Sequence, residues 1–118
     1  MTSSSNPETN KDFLARFESP DSLLPVVVQN MESKEVLMLA WVNQAALENT
    51  IKSKNATFWS RSRNELWVKG ETSGNKQEIA AIKFDCDSDA FLYLVHSHGP
   101  ACHTGENTCF HKTIELPR

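Results

Sequence analysis

Apolar residues fall in short runs separated by polar turns, and only one stretch has a helical period. Pro25–Gln29 is compact, apolar and β-branched, which predicts a buried strand. Asn30–Lys34 is polar and turn-like, and Val36–Trp41 reads as the hairpin partner. Asn43 is a suitable cap for a helix running to about Ser53, with Ala46, Leu47, Thr50 and Ile51 as its inward stripe. Lys52 and Lys54 suit the negative end of that helix's dipole. Ala56–Ser60 and Leu66–Lys69 predict a second hairpin turning at Arg61–Asn64, followed by a loop over Gly70–Asn75. Glu78–Phe84 and Ala90–His96 predict two more strands, and beyond Ser97 the residues Gly99, Pro100 and Gly105 break any regular pattern. About six strands and one clear helix give an α+β class with a mainly antiparallel sheet.

Residues 1–12 are rich in Ser, Thr and Asn and read as a disordered polar tail, leaving 13–118 as a single domain. Leu14 and Phe17 are placed to dock a first helical turn onto the body. The chain has 118 residues, 39% of them apolar, enough for one modest core. A net charge of −3 gives no support to nucleic-acid binding. No apolar run approaches the ~20 residues of a membrane span, and the N-terminus lacks the apolar stretch of a secretory signal. The expectation is a cytoplasmic protein that engages neither membrane nor nucleic acid.

Three cysteines, Cys86, Cys102 and Cys109, are an odd number for intrachain pairing and cluster in the last third of the chain. Free cysteines are often just small buried hydrophobes, so the clustering carries the metal reading. Cys102 and Cys109 are separated by six residues in a loop-forming stretch, and with Cys86 they make three soft ligands of the kind zinc takes. Three protein ligands leave a fourth position for water, whose pKa zinc lowers to about 7. His103, next to Cys102, is a ligand, a general acid/base or a plain loop histidine; His96, His98 and His111 have weaker claims.

Asp85-Cys86-Asp87-Ser88-Asp89 places three carboxylates on one face if the stretch is extended. Like charges that close repel unless a cation sits among them, and oxygen ligands favour Mg²⁺ or Ca²⁺. Taken alone, an Asp-rich pentapeptide is more often a solvated turn. An EF-hand starting at Asp85 is excluded, because loop position six is Ala90 and position twelve is His96. Arg61, Arg63 and Lys69 concentrate positive charge around the second hairpin, and Ser73, Gly74 and Asn75 follow in a loop suited to phosphate. The plain alternative is a solvated basic hairpin with Trp59 and Trp67 in the core.

Taken together, Val28–Asn30, Val36–Met38, Trp59–Asn75, Asp85–Asp89 and Gly99–His103 through Cys109-Phe110 resemble the phosphoribosyl-AMP cyclohydrolases. The likeness covers roughly Leu23–Phe110. It implies hydrolytic opening of the purine ring of 1-(5-phosphoribosyl)-AMP at N1–C6 in histidine biosynthesis, with zinc activating the water. It implies one zinc per subunit on Cys86, Cys102 and Cys109, with Cys86 shared across a homodimer. It further implies magnesium on Asp85, Asp87 and Asp89. His103 is then the local candidate to move a proton, and Arg61, Arg63, Lys69, Ser73, Gly74 and Asn75 are candidates for holding the phosphorylated substrate. A chain ending at Arg118 reads as the monofunctional form.

Two rivals remain. A zinc nucleobase deaminase needs His-x-Glu and Pro-Cys-x-x-Cys, which His96-Ser97-His98 and Cys102-His103-Thr104-Gly105 do not supply. A non-catalytic zinc-stapled module needs a fourth protein ligand, for which His103 is available.

Overall fold

The computed structural model describes residues 17–117. The expected tail over 1–12 and the helical turn at Leu14 lie outside the described residues. Six strands and one helix follow in the order β1 (Leu24–Asn30), β2 (Val36–Val42), α1 (Gln44–Ser53), β3 (Thr57–Ser60), β4 (Glu65–Val68), β5 (Gln77–Phe84) and β6 (Phe91–Ser97). The fold is α+β, as the sequence predicts, with each boundary within a residue or two of its expected place.

Side chains alternate across a strand, so register determines the buried face. Val26 stands beside Ala40 and Phe91, and Val28 beside Met38 and Tyr93. All six are buried, with Val26, Val28 and Tyr93 at 0% exposure. Phe58 of β3 packs onto this face, with its ring 6.1 Å from Tyr93 and 5.4 Å from Trp67. Phe17 is buried against Phe91, ring centres 6.3 Å apart.

The sheet order is β2-β1-β6-β5, with β3-β4 as a separate ribbon. Most pairs are antiparallel, but β1 and β6 at the sheet centre are parallel. Everything from β2 to β5 forms the crossover that such a pair requires.

Asn43 caps α1 by accepting the Ala46 N–H on Oδ1 at 2.9 Å. Lys54 ends the helix in the left-handed region and returns its N–H to Thr50 O. Thr50 is fully buried, and its hydroxyl donates to Ala46 O while the Thr57 N–H donates to it at 3.0 Å. That contact ties the helix to the start of β3 and sets its rotation. Ile51, expected in the inward stripe, is turned about 100° away and is exposed. Asn43→Ala is expected to cost about 1 kcal/mol through the orphaned Ala46 N–H, measured by denaturant unfolding.

Among the described residues no helix is long and apolar enough to cross a membrane.

Candidate active site

The loop after β6 folds back on itself and is fastened to β2. Ala101 and Cys102 donate their N–H groups to Asn107 O and Glu106 O, and Gly105 closes a turn onto Cys102 O. Cys109 donates its N–H to Leu37 O at 2.7 Å, and the Thr108 hydroxyl donates to Val36 O. Cys102 and Cys109 consequently lie side by side, close enough for each to alter the other's proton affinity. The Thr104 hydroxyl donates to Cys102 Sγ at 3.1 Å, and that bond chiefly draws the Cys102 thiol down to about 6. Burial, then the neighbouring Cys102 charge, pushes Cys109 the other way. One thiol of the pair is thus held as a thiolate near neutral pH, ready to ligate a soft ion.

A cleft of about 580 Å³ opens beside this pair, within the range typical of small-molecule sites. Its walls include Arg63, Lys69, Ser73, Asn75, Cys102 and His103, so residues from the basic hairpin and the cysteine loop meet there. Two glycines make the junction possible. Gly70 adopts φ +80°, and a side chain on it would meet the Asn75 carbonyl carbon at 2.4 Å. Gly99 leaves the space into which Asn75 Oδ1 projects, 2.2 Å from where a Cβ would stand.

Not every expected residue arrives at the cleft. Arg61 lies over the Trp41 ring at 4.6 Å, in a neighbouring groove lined also by Trp59 and Trp67. Gly74 closes its loop by donating to Gly70 O and borders a different hollow with Lys76 and His98. Lys69 turns inward, away from the exposed Arg63–Glu65 pair. Two neighbours of Cys102 stand outside the expected set, one with no sequence signal and one with only a weak claim. Thr104 is one; the other is His111, whose Nε2 is 3.9 Å from Cys102 Sγ. His96 and His98 pair with Glu32 and Glu78.

Asp85–Asp89 is a tight turn between β5 and β6, not the extended stretch expected from sequence. Ser88 takes φ +59° and donates to Asp85 O, and the Asp89 N–H donates to Asp85 Oδ1 at 3.0 Å. The turn itself brings the three carboxylates together, with one oxygen of each within 4.8 Å of the others. The Asp89 backbone N–H is the main cause of Asp85's lowered pKa; Asp89, bonded to Asp85 and facing its charge, has a raised one. The Cys86 thiol is exposed and sits 3.9 Å from Asp87 Oδ1, on the same side as that carboxylate.

Cys86 lies in the turn joining β5 to β6, whereas Cys109 is bonded to β2, on the far side of β1. With strands about 4.8 Å apart, β6 and β2 are already separated by roughly 10 Å. Zinc holds each sulfur at ~2.3 Å, so one chain does not bring the three thiols onto one ion. Among the described residues the aspartates are the only three potential ligands that converge.

The chain is thus a small α+β domain that brings Cys102, His103, Arg63 and Lys69 to the wall of one cleft. Residues 38–111 match the family model for phosphoribosyl-AMP cyclohydrolase. A phosphoribosyl-AMP cyclohydrolase of Nitrosopumilus maritimus is 56% identical over 99 residues, covering 84% of this chain and 92% of that one. One from Lactiplantibacillus plantarum is 51% identical over 100 residues, covering 85% and 93%. A bifunctional histidine-biosynthesis protein of Thermus thermophilus is 55% identical over 92 residues, 78% of this chain and 43% of that longer protein. The chain belongs to the phosphoribosyl-AMP cyclohydrolase family and is a hydrolase of histidine biosynthesis.

Proposed function

We propose that the protein adds water to the purine ring of 1-(5-phosphoribosyl)-AMP and breaks the N1–C6 bond. The observation that carries this reading is the meeting of Cys102, His103, Arg63, Ser73 and Asn75 around one cleft. Cys102 and Cys109 of one chain, with Cys86 of a second, would hold zinc. The donor chemistry fits: the sulfurs are soft, one is held as thiolate, and the pair is already adjacent. Zinc when bound supplies a water acidic enough to act as a nucleophile near neutral pH. The separation of Cys86, in the β5–β6 turn, from Cys109, against β2, favours a homodimer with two such sites. Asp85, Asp87 and Asp89 suit magnesium, which would relieve their mutual repulsion.

Arg63, with Ser73 and Asn75, would bind a phosphate and orient the ring; Arg61 and Gly74 border other hollows. His103 is exposed on the cleft wall and would carry a proton to or from the opening ring.

The test is direct assay with phosphoribosyl-AMP, following ring opening by absorbance and ammonia separately. Ring opening without ammonia is expected; ammonia release would mark a deaminase. His103→Ala is expected to lower kcat by about 10²–10⁴-fold in a folded dimer. A non-catalytic zinc staple is the second reading, and His111 beside Cys102 is the observation that favours it. A cobalt-substituted site that exchanges no ligand with added anions, in a chain inert toward phosphoribosyl-AMP, would establish the staple.

A further inference from the structure

Lys69 is the one cation of the basic hairpin that is buried, at 9% exposure. Its backbone N–H donates to Ala56 O, extending the β3–β4 ribbon by one residue. The side chain passes within 5.6 Å of the Trp67 ring centre, and Nζ donates to Ala101 O at 2.7 Å. Ala101 immediately precedes Cys102. A buried ammonium is costly unless an anion faces it. Among the described residues no carboxylate lies within ion-pair distance of Lys69. The negative groups that act on it are Cys109 and Cys102; burial lowers its proton affinity and the two sulfurs raise it.

We propose that Lys69 is a positioning residue of the cysteine site, holding the Cys102 loop through Ala101 and supplying the counter-charge to the thiolates. This deepens the zinc reading and rests on it. Three thiolates and one divalent ion sum to a single negative charge. Such a centre is a weak electrophile, and its ligands repel one another. One ammonium fixed on the carbonyl next to Cys102 would restore neutrality.

The experiment compares Lys69→Gln and Lys69→Arg with the parent dimer. Gln keeps a donor for Ala101 O and loses the charge; Arg keeps the charge. Zinc content comes from elemental analysis, zinc release from transfer to a chromogenic chelator, and kcat and KM are determined separately. For Lys69→Gln, release about tenfold faster or more is expected, the effect of one lost charge-assisted contact. Its kcat should fall while KM stays within about twofold, since substrate binding is not the function removed. Lys69→Arg should release zinc at the parent's rate. Parent-like release from Lys69→Gln overturns the proposal. So does a raised KM with unchanged release, which would make Lys69 a phosphate ligand. If Lys69→Gln does not fold, as judged by thermal melting, Lys69→Arg decides: slow release with the parent's kcat supports the counter-charge, and fast release refutes it. A parent free of zinc sinks the zinc reading, and this proposal with it; a zinc-loaded parent with unaffected variants sinks this proposal alone.

Discussion

If the cysteines hold zinc as proposed, a zinc-selective chelator is expected to reduce ring opening by about a hundredfold or more, and added zinc should restore it. The magnitude follows from the several kcal/mol that a bound metal contributes, at 1.36 kcal/mol per factor of ten. The geometry gives the prediction its content. Cys102 and Cys109 are held together by a loop that bonds to itself at Glu106 and Asn107 and to β2 at Leu37. Little reorganisation is then needed to accept an ion, and the folded apo-protein should survive its removal. The measurement pairs activity with elemental analysis and circular dichroism before and after chelation. Full activity in a verified zinc-free, folded preparation would end the zinc reading. Loss of activity together with loss of fold would instead assign the metal a structural role, as in a zinc-stapled module.

Mixing two inactive variants is expected to regenerate about a quarter of parental activity. Cys86→Ala and Cys102→Ala chains should each be dead alone, because each lacks one sulfur in every site. In a mixed dimer, the Cys102→Ala chain presents its intact Cys86 to the partner's Cys102 and Cys109. One complete site results, while the other lacks two ligands. Random exchange makes about half the dimers mixed, and each carries one good site of two. The prediction rests on Cys86 in the β5–β6 turn and Cys109 against β2, two strands away from β6. Subunit exchange is verified independently, by mass-tagged chains in native mass spectrometry. No activity from demonstrably mixed dimers would place the whole site within one chain and contradict that separation.

Local pattern accounts for the elements. A strand's two-residue alternation and a helix's cap are written in neighbouring residues, so Val26 and Val28, the Asn43 cap and the Arg61–Asn64 turn were all legible in the sequence. The chemistry of the site was legible for the same reason. Thiols, clustered carboxylates and loop glycines declare themselves by type and spacing, whatever the fold does with them.

What depends on distant partners was decided only by tertiary structure. The parallel pairing of β1 with β6 joins residues more than sixty positions apart, and no periodicity encodes it. Ile51 faces out because Thr50 spends its hydroxyl on β3. The carboxylates converge through a left-handed Ser88, not through an extended chain, and Cys86 stays on their side. Lys69 is one of three similar cations in sequence. It alone turns inward, where its ammonium donates to a carbonyl of the cysteine loop. The identities of the functional groups are local properties of the chain; which of them face one another follows from burying one apolar face and satisfying the backbone around it.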